Sequence, residues 1–218
     1  MTLTDVLLFV LLPYIAVGQL LPALLWRARR EGALAEPAEG APLSSERKAF
    51  ASSALAAGAI VIGLLHLVPL LAPPVFRAAL ARPAGVLLIE LIGFAGGLVF
   101  LSGAVLLTVR RARGPATLAT SIELAACAAL VCAALAGVAC ALSARWGSAW
   151  YARAVVPYLY SLLRLQPDTT ALAALGFWPR AHLVCGFVAL GLLPFTTLPR
   201  QLRAPLRLAR PPATEVAR

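Results

Sequence analysis

Five stretches of apolar sequence, at roughly 5–26, 49–72, 84–109, 118–142 and 179–198, are each long enough to decide the fold class. About 20 residues of helix cross the hydrocarbon core of a bilayer, whereas a barrel strand needs only ~10. Inside hydrocarbon every backbone amide must find its partner within the protein, and a helix does so within its own segment. The sequence therefore predicts an all-α integral membrane bundle of five transmembrane helices over residues 1–198, followed by a basic, Pro- and Arg-rich tail at 199–218. The balance of the chain agrees, with 61% of its 218 residues hydrophobic and only 13% charged. No stretch is left for a soluble catalytic domain, so chemistry of that kind would belong to partner chains.

Basic residues set the expected orientation. Segment 27–48 carries Arg27, Arg29, Arg30, Arg47 and Lys48; segment 110–113 carries Arg110, Arg111 and Arg113; the tail carries Arg200, Arg203, Arg207, Arg210 and Arg218. Those thirteen fall on one side, against six (Arg77, Arg82, Arg145, Arg153, Arg164 and Arg180) on the other. The positive-inside rule then places the N-terminus outside and the C-terminus in the cytoplasm of a multi-pass protein of the cell (inner) membrane. The net charge of +10 reads as topology plus attraction to anionic membrane lipid, with no nucleic-acid partner. The first basic residue, Arg27, follows the first apolar block, so a positively charged leader region is missing and Met1 to Leu25 is expected to remain as a span that tolerates Pro13 and Gly18. Between the spans, 31–46 reads as a flexible acidic loop. Segment 144–178, with Trp146, Trp150, Tyr151, Tyr158 and Tyr160, reads as a helix at the headgroup level.

The four cysteines, Cys127, Cys132, Cys140 and Cys185, all lie inside spans without a CxxC pair, and packing as small apolar residues is the favoured reading. The two histidines are more informative. At 1.5 Å of rise per residue, His66 lies about 27 Å from Lys48 and about 10 Å short of Pro73, while His182 lies about 5 Å in from Pro179. Both therefore sit near the outer face, on different spans. Gly63 and Ala59 share the helix face of His66; Cys185, Gly186 and Ala189 share that of His182. Two level imidazoles beside small residues fit a bis-histidine haem. They also fit two polar residues at the ends of a bundle, hydrogen-bonded to neighbours.

Four stretches carry a resemblance: LPYIAVGQLLPALLWRAR at 12–29, ERKAFASSALAAGAIVIGLLH at 46–66, GFAGG followed by GAVLLTVRR within 93–111, and RAHLVCGFVALGLLPF at 180–195. In these the chain resembles the gamma subunit of respiratory nitrate reductase, a five-span cytochrome b that takes electrons from quinol. The resemblance implies that His66 and His182 ligate an outer haem b. It also implies that the partners are the iron–sulfur and molybdenum reductase subunits of a hetero-oligomeric oxidoreductase complex.

Two departures from the family pattern qualify that reading. The inner haem of the family uses a histidine ten residues before His66 and another eighteen after His182; here those positions are Ala56 and Arg200. One haem is therefore expected in place of two, leaving a gap of about 15 Å toward the cytoplasmic face. The family's lysine at the outer start of the third span is also absent, and Glu90 is the nearest ionisable residue to that place. Glu90 is then either a proton acceptor for quinol, or a carboxylate that snorkels or pairs with Arg82 or Arg180. Arg180 is either a partner for a haem propionate or an interface anchor, and Glu123 is expected to pair with Arg110 or Arg111. Two functions follow from the resemblance: passing electrons from quinol to a nitrate reductase-type complex through one haem, or anchoring such a complex with part or all of that chemistry lost.

Overall fold

The computed structural model describes residues 2–29, 45–143 and 147–199, and among these helix is the only regular structure. Five helices are long and apolar enough to cross a membrane, and they coincide with the five apolar blocks. The first span runs through Leu3–Val6, a π-helical turn at Leu7–Leu11, and Leu12–Arg29. The second is Ser45–Leu71, the third Pro83–Ala112, the fourth Leu118–Ser143 and the fifth Phe177–Leu192, prolonged by a 3-10 turn at Leu193–Phe195. Large apolar side chains such as Leu64, Leu87, Leu91 and Leu135 point outward, as they do when lipid is the solvent.

Local chemistry sets the boundaries. Thr2 and Asp5 form a capping box at the start of the first span, the Thr2 Oγ1 accepting from the Asp5 amide at 3.2 Å and the Asp5 carboxylate accepting from the Thr2 amide at 3.1 Å. The second span stops at Pro73-Pro74 because neither residue has an amide hydrogen with which to continue it, and the chain restarts as the short helix Pro73–Leu80. Pro83 then opens the third span, where a missing N–H costs nothing.

The spans pack in the order second, third, fourth, fifth, first, each mainly against the next. Helix association in lipid depends on close packing of small residues, and the second and third spans use glycine for it. A Cβ on Gly58 would lie 2.5 Å from the Phe100 amide nitrogen, and one on Gly103 would lie 2.5 Å from that of Leu55. The backbones of the second and fifth spans, by contrast, are not neighbours in this order. At the end holding His66 and His182 they meet through those two side chains.

The two ends of the bundle differ in what fills them. Opposite the histidines, Leu55, Ala104, Leu107, Ala126, Cys127 and Leu198 form one apolar core, with Leu192 and Leu193 packed against it. A buried polar clamp sits close by: Arg111 donates to the Thr197 hydroxyl at 2.7 Å, the Thr197 amide donates to the Glu123 carboxylate, and Arg111 lies 3.6 Å from Glu123. The expected pairing of Glu123 is thus with Arg111, and it joins the third and fourth spans to the chain leaving the fifth.

At the histidine end a second core forms from Phe9, Tyr158, Leu162, Leu172 and Leu175. Its Tyr158 belongs to the connector after the fourth span, which comprises Gly147–Trp150, a π-helical turn at Tyr151–Val155, and Val156–Leu163. The connector is helical, as expected, and its tyrosine hydroxyls turn to the carbonyls of the spans. Tyr158 donates to the Phe9 carbonyl at 2.8 Å, Tyr151 to that of His66 at 3.1 Å, and Tyr160 to that of Leu70. Proline removes the i+4 donor from two of these carbonyls: Pro13 has no N–H for Phe9, and Pro74 has none for Leu70. Trp146, most of the loop 31–46 and the tail from 200 onward lie outside the described residues.

Candidate functional site

His66 and His182 meet. Their ring centroids are 5.8 Å apart, with the planes inclined by 32°. The Nδ1 of His66 bonds the carbonyl of Ile62, one turn back in its own span, at 2.8 Å. The Nδ1 of His182 bonds the carbonyl of Ala133, in the fourth span, also at 2.8 Å. A carbonyl oxygen only accepts, so each Nδ1 carries the proton and each Nε2 keeps its lone pair. That tautomer is the one an axial iron ligand requires, and a backbone carbonyl on the far nitrogen is the usual way to fix it.

The glycines near the two rings bear on the fit. His66 and His182 are the residues that would hold a haem here, and the group would supply one-electron transfer. Gly63 and Gly186 both border open space, with nothing within 4 Å of where a Cβ would stand. A flat macrocycle needs such room beside its ligands. Among the described residues no group of three or more His, Cys, Asp or Glu is placed to hold a metal ion. Haem iron needs only two protein ligands, because the porphyrin fills its equator.

Three further residues build the site, and none was singled out for it in the sequence. Gly137, in the fourth span, lies against the His182 ring: a Cβ there would stand 3.1 Å from the imidazole Cε1 and Nδ1. Ala133, one turn earlier, supplies the carbonyl for His182. Tyr151 packs its ring edge-on against His66, with centroids 5.4 Å apart, besides donating to the His66 carbonyl. It opens a π-helical turn, a distortion that recurs at functional sites.

Glu90 reaches the same segment. Its carboxylate accepts from the Ser148 amide at 2.7 Å, with Gly147 alongside. Ser148 and Tyr151 are three residues apart on a helical segment and so share a face, which links the Glu90 carboxylate to the His66 neighbourhood through a single turn. Arg180 is occupied elsewhere: it pairs with Asp5 at the start of the first span, and its guanidinium lies 5.1 Å from the centre of the Phe9 ring. Of the residues at the expected inner site, Ala56 is buried in the second span at 4% exposure, and Arg200 lies outside the described residues.

The model of one protein family, the nitrate reductase gamma subunit, matches residues 5–217, nearly the whole chain. A comparison with curated proteins gives no match.

Proposed function

The chain belongs to the nitrate reductase gamma subunit family, and from that premise we propose that it is the quinol-oxidising membrane subunit of a nitrate reductase-type complex, holding one haem b between His66 and His182. The observation that carries the proposal is the pair of imidazoles, both with Nδ1 tied to a carbonyl, facing each other at 5.8 Å beside two open glycines. A bis-histidine haem supplies one-electron transfer. The protein's part is to hold the ligands and manage the proton. Ile62 and Ala133 fix the imidazole tautomers, Tyr151 braces His66 from the side, and Gly63, Gly186 and Gly137 leave the space. Glu90 takes the proton released by a quinol hydroxyl onto its carboxylate. Arg180 anchors the first and fifth spans to one another through Asp5, the interface role, and is not needed for a propionate.

In this reading the N-terminus and the histidine end face outward, the C-terminus lies in the cytoplasm of the cell membrane, and partner chains carry the iron–sulfur and molybdenum centres. The apolar core at the opposite end favours one haem over two. Ala56 is buried where the family has a ligand, and neighbouring Leu55 packs with Leu107, Cys127 and Leu198. That same core supports a second reading, in which the chain anchors its partners and passes few electrons inward. Reduction by a quinol analogue in membranes containing the chain separates the two. The expected result is haem reduction that slows about 100-fold in Glu90→Gln, the scale of a lost general base, with the spectrum unchanged. A folded bundle that shows no quinol-dependent reduction would leave the anchor reading.

A further inference from the structure

A cleft of about 290 Å³ opens at the histidine end, between the close of the second span, the short helix Pro73–Leu80 and the connector segment Val156–Leu163. Its apolar wall includes Pro69, Phe76 and Pro157, and the Tyr160 ring also faces it. The Tyr160 hydroxyl is committed to the Leu70 carbonyl and contributes no donor to the space. The polar function comes from Arg77 and Arg164, both exposed and both lining the cleft. No acidic residue lines it, and among the described residues neither arginine is in an ion pair. Pro73, Phe76 and Arg77 fall on one face of the short helix and turn it toward the cleft.

We propose that this cleft binds the headgroup of an anionic phospholipid. Arginine is the side chain best matched to a phosphodiester, since its fork of N–H donors engages two oxygens at once. A pair of guanidiniums with no carboxylate to neutralise them favours a ligand that carries net negative charge. The apolar wall of Pro69, Phe76 and Pro157 suits the glycerol and the first carbons of the acyl chains, which inorganic phosphate does not have. The site needs no haem and stands whether or not one is bound. By closing over the junction of the second span and the connector, bound lipid also steadies the turn that carries Tyr151 toward His66.

The test uses the full chain purified in a neutral detergent and exchanged against phosphatidylglycerol or phosphatidylcholine, with retained lipid counted by native mass spectrometry. The expected result is one phosphatidylglycerol per chain, held about 10-fold more tightly than phosphatidylcholine. That preference is lost in the double variant Arg77→Gln, Arg164→Gln and kept in Arg153→Gln, which alters an exposed arginine of the same connector outside the cleft. Helicity measured on each variant confirms that the fold is intact. Equal retention by the wild type and the double variant would overturn the proposal, and so would an equal loss in Arg153→Gln, which would mark diffuse charge attraction. Displacement of the lipid by millimolar inorganic phosphate would overturn the lipid assignment in favour of a free-anion site.

Discussion

Replacing either His66 or His182 with alanine is expected to remove the haem b spectrum of the proposed site altogether while the five-span bundle remains. The two side chains lie on spans whose backbones are not packing neighbours, so neither imidazole is part of the glycine-mediated seam that joins the second and third spans. Removing one leaves a single nitrogen ligand in an apolar gap, too little to retain a macrocycle through purification. Helical content and detergent-exchanged size should stay as in the wild type, and the absorbance should vanish in both variants alike. Retention of a low-spin spectrum in either would show that another residue serves as ligand and that the facing pair does not hold the group.

The largest effect on stability is expected at the other end of the bundle, from Glu123→Ala. Arg111 and Glu123 are 6% and 3% exposed, 3.6 Å apart, and Thr197 bonds to both. Truncating the carboxylate strands a buried guanidinium and removes the acceptor for the Thr197 amide. Breaking one side of a buried pair costs about 3–5 kcal/mol. A double change of Arg111 and Glu123 to alanine should cost less than the sum of the two single changes, because no charge is then left alone. Unfolding followed by circular dichroism in detergent measures both. Additive losses would mean that the two groups do not act as a pair.

What could be read in the sequence, and what could not, divides along a physical line. The five spans were legible because the bilayer imposes a length and a polarity that local sequence must meet. That Glu123 pairs with Arg110 or Arg111 was legible because a short connector joins the ends of adjacent spans; that it is Arg111 came from the packing. The equal depth of His66 and His182 followed from helix rise. Contacts that depend on which spans become neighbours were not legible. Gly137 touches His182 only because the fourth span packs on the fifth. Asp5 claims Arg180 across 175 residues, and Tyr158 serves the Phe9 carbonyl across 149. Pro13 showed that a carbonyl would lose its donor, but nothing local identified the tyrosine that replaces it. The partners of the connector's tyrosines were illegible for the same reason: composition reports amphipathic rings without saying which carbonyls they meet.

A potentiometric titration of the purified full chain, with haem b counted against protein, tests the central claim most directly. One haem per chain, titrating as a single one-electron centre and lost in His66→Ala, is the expected result. Two haems per chain, or a folded five-span protein that binds none, would contradict it.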